Sequence, residues 1–161
     1  MEFMNIYAYL VAALSTLVVG FIWYNPKVFG TIWMRESGMT EEKMKGSNMA
    51  FIFGMSFFYA FLISTVINVL TVHQMGAFGM IGGDVINAKP SYAAFMADYE
   101  TAFRTFKHGA LHGLLTGLFL VFPIIATNAM YERRSFKYTM VSSGFWIVCF
   151  MIMGGIICAW K

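Results

Sequence analysis

The sequence predicts an all-α membrane protein: a four-helix transmembrane bundle with short interfacial helices in the first and second connections. Three observations carry this. Of 161 residues, 59% are hydrophobic and 12% charged, roughly half the charge of an ordinary soluble domain. Four runs, 6–24, 49–72, 108–131 and 138–160, contain no Asp, Glu, Lys or Arg. Each reaches or approaches the roughly 20 residues that cross a hydrocarbon core of about 30 Å, and in lipid such runs can pair their own backbone groups only as helices. Aromatic residues mark the borders: Trp23 and Tyr24 close the first run, Tyr131 and Tyr138 bracket the turn between the third and fourth, and Trp160 ends the last. A single transmembrane domain over 1–161 is expected.

The stretch ahead of the first run, Met1-Glu2-Phe3-Met4-Asn5, holds an acid and no Lys or Arg. No small-x-small cleavage site closes the run, so it makes a poor signal peptide and is expected to remain as a span. The first connection, 25–48, reads as an interfacial helix. Asn25 suits an N-cap, Pro26 the first helical position and Gly38 the residue past the end. Phe29, Ile32 and Trp33 fall on one face, expected to lie in the membrane surface. Thr40 followed by Glu41 and Glu42 reads as a second helix start leading to the second run.

The second connection opens with a glycine-rich apolar stretch, Gly76 to Gly83, expected to be flexible. After Pro90 and Ser91, the residues Tyr92, Phe95, Met96, Tyr99, Phe103 and Phe106 recur at helical spacing opposite Asp98, Glu100 and Arg104. A surface helix feeding into the third run is expected. In that run Gly109, Gly113 and Gly117 repeat every fourth residue, a stripe that lets helices approach closely. Pro123 frees the carbonyl of Phe119 and predicts a kink. Asn128 falls at the depth of Ser142 and Ser143 and is expected to bond with them. Trp146 lies deep in the fourth run, where its indole N–H needs a partner. Cys149 and Cys158 stand about 13 Å apart along one helix and on opposite faces; they read as small buried hydrophobes.

Lys and Arg set orientation. Lys27, Arg35, Lys43, Lys45, Arg133, Arg134 and Lys137 fall in the first and third connections, whereas Lys89, Arg104, Lys107 and Lys161 fall in the second connection or at the end. This asymmetry predicts cytoplasmic first and third connections and both termini outside. Glu132-Arg133-Arg134 with Lys137 is a small basic patch that reads as a topology determinant, with lipid phosphate as its other use.

The string Trp23-Tyr24-Asn25-Pro26-Lys27-Val28-Phe29-Gly30, followed by Trp33-Met34 and Gly38-Met39-Thr40-Glu41-Glu42, resembles the signature of a family of small bacterial membrane proteins, domain of unknown function 1761. Glycines near the start of the third run, Glu132-Arg133 after it and a glycine-rich last run ending at Trp160 resemble that family too. The resemblance implies a four-helix fold in the bacterial inner membrane. It implies no catalytic residues and says little about activity.

The polar residues inside the runs are the candidate site. His108, His112 and Thr116 form one stripe, with His112 about one turn in from the surface. Asn68 of the second run falls at similar depth, with His73 at that run's end. Buried polar groups in lipid pair across helices or mark a site, so His112 and Asn68 are expected to pair. The sequence assigns no metal and no cofactor. His108 and His112 have ligand spacing, but a third ligand comes only by appeal to Asp98, Glu100 or His73. A haem cannot be clamped from both sides by two residues of one helix.

The net charge of +3 points to no nucleic-acid partner. The expected partner is the bilayer, with a second copy or a larger membrane complex beyond it. The leading reading is a non-enzymatic structural or interaction subunit. The alternatives are a small transporter or channel component, which lacks a charged residue in any run, and a membrane enzyme or metal site using the histidines.

Overall fold

The structure is a computed structural model and describes residues 4–160. Met1, Glu2 and Phe3 of the stretch ahead of the first run and Lys161 of the charge count lie outside the described residues. The described residues form α1 (Ile6–Trp23), α2 (Gly30–Ser37), α3 (Glu41–Lys45), α4 (Met49–Thr71), α5 (Gln74–Met80), α6 (Pro90–Tyr99), α7 (Phe106–Thr116), a π-helical turn (Gly117–Val121), α8 (Phe122–Tyr131) and α9 (Phe136–Ala159). All regular structure among them is helical. Four helices are long and apolar enough to cross a membrane: α1, α4, α9 and the continuous Phe106–Tyr131.

The bundle is organised around α9, which packs most extensively on α7 and also on α1, α4, α8 and α2. Its buried residues run around the whole helix, from Thr139 and Val141 to Ile157 and Cys158. By contrast α1 buries one stripe of small residues with Tyr9, and α4 buries Ala60, Ser64, Ile67, Asn68 and Thr71. The remaining faces of α1 and α4 are apolar and exposed, as lipid requires. Hydroxyls inside the spans donate back to their own helix: Ser64 to Phe61, Thr71 to Ile67, Ser143 to Thr139 and Thr116 to His112. That satisfies them without water.

Glycine decides how α7 meets α9. A Cβ on Gly109 would stand 2.0 Å from the Gly154 carbonyl oxygen, and one on Gly113 would stand 2.1 Å from that of Phe150. Gly117 faces Ile147. The stripe is therefore spent inside the chain.

Downstream, the π turn inserts extra backbone just before Pro123. On an unbroken α-helix Asn128, eleven residues after Gly117, would share the glycine face. One inserted residue turns the rest of the helix by about 100°, so Ala129 is buried while Asn128 is exposed. The expected bonds from Asn128 to Ser142 and Ser143 do not form: Ser143 bonds to Thr139, and the Ser142 hydroxyl has no partner among the described residues. Trp146 packs edge-on against Phe145 and Phe150. The indole that reaches across helices is Trp23, donating to the Val141 carbonyl at 3.0 Å.

The connections differ from expectation in three places. Asn25 caps a turn, accepting from the Lys27 N–H, and the helix starts later, at Gly30. A side chain at Gly30 would collide with the Tyr24 carbonyl at 2.2 Å. With Gly38 left-handed at the other end, α2 docks on the bundle: Phe29 packs on Trp23, and Trp33 on Tyr24. The glycine-rich stretch after His73, expected as a flexible segment, is helical as far as Met80, as α5, and then turns through left-handed Gly82 and Gly83. The surface helix α6 ends at Tyr99; Thr105 then starts α7 as a separate helix by accepting from the His108 N–H.

Around Trp23 and Ser135 a polar clamp closes the bundle. Arg134 donates to the Ser37 carbonyl at 2.7 Å, and the Ser135 hydroxyl donates to Glu36. That hydroxyl, and then Arg35, hold the Glu36 carboxyl below its ordinary 4.5.

Both the glycine contact and the clamp can be tested. Gly113→Leu destabilises the bundle by about 3 kcal/mol in a denaturation assay, whereas Gly54→Ala, with nothing within 4 Å of the added methyl, is close to neutral. Because the folded-state pKa of Glu36 is depressed, its contribution is present above 4.5 and is lost as pH falls through the folded value. Amide exchange in α2 therefore speeds up, after correction for intrinsic rates, as pH falls below 4.5; an unchanged α2 would refute the clamp.

Candidate functional site

At the opposite end of the bundle the chain breaks and restarts twice within a small space. α4 ends at Val72, whose backbone is extended, and His73 immediately opens α5. Val72 and Gln74 on either side are buried at 1% and 3% exposure. The Gln74 amide nitrogen donates to the Tyr99 and Ala102 carbonyls at 2.7 and 3.0 Å, tying α5 to the end of α6. Held from both sides, His73 projects toward α7.

There it meets His108 and His112. The Nε2 atoms of His73 and His108 are 2.8 Å apart, and the ring centroids of His73 and His112 are 5.0 Å apart. A ring nitrogen from each of the three lies within 4.8 Å of the others. His73 is exposed and the other two are half-buried, so the cluster opens to the outside of the bundle. Imidazoles this close have two uses. One ring N–H can donate to its neighbour's bare nitrogen, or all three can turn a bare nitrogen to a common cation.

The expected pairing of His112 with Asn68 is not what forms. Asn68 is buried beside the Tyr9 hydroxyl between α1 and α4, and His112 turns to the other histidines. Asp98 and Glu100 are exposed and stand outside the cluster.

Sequence reasoning missed two residues that build the site. Arg104, expected as a surface charge, is buried: its Nε donates to the Cys158 carbonyl at 2.9 Å, and a terminal nitrogen donates to the Trp160 carbonyl. A cation thus closes the negative end of α9 and pins the start of α7 to it. The second is Phe103, whose φ of 61° is left-handed. Its ring lies 5.0 Å from that of His108 and 5.7 Å from that of His73, roofing the cluster. His73 and Phe103 also wall a cavity of about 220 Å³ with Gln74, Phe95, Tyr99 and Ala102. The one available signal for Arg104 was its place as an arginine at the mouth of a span.

Fold and site together define a multi-pass, four-helix membrane protein with a histidine cluster at one end. A family model described as "Protein of unknown function (DUF1761)" matches residues 7–158, and the chain belongs to that family. No curated protein and no solved structure matches it.

Replacing Arg104 with Met leaves the α9 carbonyls unpaired and costs about 2 kcal/mol. Hydrogen exchange at the end of α9 and the start of α7 should rise together; if only one of them rises, the two ends are not coupled through this side chain.

Proposed function

We propose that this protein is a non-enzymatic interaction subunit of the bacterial inner membrane, and that it pairs with a second copy of itself through the outward side of its third span. The observation that carries this is Asn128. With Thr127 it is exposed beside Pro123, along a shallow groove that also includes Ile124, one turn inside Tyr131. A primary amide facing lipid lacks partners that a neighbouring helix would supply. The amide both donates and accepts, so it complements itself across a two-fold axis. The glycine stripe, the other surface suited to such contact, is already occupied by α9.

Orientation follows from the charge asymmetry, with the first and third connections cytoplasmic and the histidine end outside. The burial of Arg104 supports it, because one of the few basic residues on that side already has a structural role.

Asn128→Cys should cross-link the chain into a dimer in native membranes. Asn128→Leu should weaken self-association about 3- to 20-fold, the range of interhelical polar contacts in lipid, as read by energy transfer between labelled copies. A monomer at all densities would end this reading.

A further inference from the structure

The three histidines converge with no structural duty that accounts for all of them. His73 stands at the start of α5 yet makes no capping bond there. His108 and His112 project from one side of α7, one turn apart, although α7 is held to α9 through its glycines. We propose that His73, His108 and His112 form a binding site for one divalent first-row transition-metal ion, zinc foremost.

The geometry is close to what such an ion needs. Metal–nitrogen bonds of about 2.0–2.1 Å in a tetrahedral arrangement set the ligand nitrogens roughly 3.3 Å apart. The three rings already offer nitrogens within 4.8 Å of one another, so small side-chain rotations complete the set. Each ligand hangs from a fixed point. His73 sits between two buried residues, His108 has its amide capped by Thr105, and both α7 ligands flank the Gly109 contact with Gly154.

The donor set also chooses the class of metal. Three imidazoles without a carboxylate suit borderline ions such as zinc, copper or nickel, and they do not suit magnesium or calcium, which need oxygen. Three protein ligands leave a fourth position for water, the arrangement of an exchangeable rather than a sealed site. Exposed His73 provides the way in. Phe103, held left-handed over two of the rings, supplies the apolar wall that limits solvent around a bound ion.

The site stands apart from the pairing surface on α8 and is tested separately. Full-length protein with any affinity tag removed is stripped with chelator in detergent, then titrated with zinc by calorimetry and with cobalt by visible absorption. The expected result is one equivalent of zinc per chain. Cobalt should give the absorption of a tetrahedral nitrogen–oxygen site without thiolate charge transfer, which separates the histidines from Cys149 and Cys158. His73→Gln, His108→Gln and His112→Gln should each weaken zinc binding by about 100-fold or more, beyond the loss of an outer partner. Zinc should raise the melting temperature of the wild type and leave that of His73→Gln unchanged. His73 is exposed, so this variant keeps the test open even if a change on α7 impairs folding. Absence of stoichiometric zinc, undiminished binding by His73→Gln, or equal binding of magnesium would overturn the proposal and leave a hydrogen-bonded imidazole cluster.

Discussion

Between Gly109 of α7 and Gly154 of α9 there is only backbone, and much of the molecule's geometry follows from that approach. Lipid tails are as apolar as leucine, so two helices in a membrane gain little by hiding apolar surface from their solvent. They associate through close contact and dispersion. Glycine on both sides makes the contact as short as backbone allows, and it sets the rotation of α7 as well as its distance. With glycines turned to α9, the neighbouring stripe of His108 and His112 must face the side where α4 ends. The histidine cluster is thus a by-product of the same packing that holds the core.

The two ends of the bundle are closed by different chemistry. At one end Arg104 turns inward and takes the last carbonyls of α9, which gives a buried cation its partners and a helix terminus its cap. At the other end Arg134, Ser135 and Glu36 tie the connection after α1 to the turn before α9, with aromatic packing of Trp23, Tyr24, Phe29 and Trp33 behind them. Neither clamp depends on ordinary i,i+4 pairing along one helix. Each joins segments far apart in the chain, which is why both hold the bundle shut.

Much of the fold was legible because hydrophobic thickness is a strong constraint: four uncharged runs of sufficient length become four membrane-span-like helices. The close contact of the glycine stripe was legible for the same kind of reason, a short-period pattern with one steric meaning. The misreadings cluster where a single backbone event changes the face of everything after it. Asn128 was placed by its depth in the span, and one π turn rotated it outward. His73 was visible as a residue at the end of a span and as one of three candidates for a third ligand; that it would be the one to meet His108 depends on the extended backbone at Val72, which no spacing announces. The stretch from Gly76 to Gly83 read as flexible because glycine propensity is low, yet tertiary support from Gln74 and α6 keeps its first part helical. Arg104 read as solvated because charged residues usually are.

The central position of α9 has a consequence for how the molecule is made. About half of its most apolar stretch is buried, against 28% or less in the other three spans. It is also the last of the four to leave the ribosome. Before it arrives, α1 and α4 can settle against each other, but α7 has no surface that accepts its glycines. During synthesis three spans therefore wait in the bilayer with the small-residue face of α7 still open to lipid or to a chaperone, and assembly completes in one late step when the fourth packs among them.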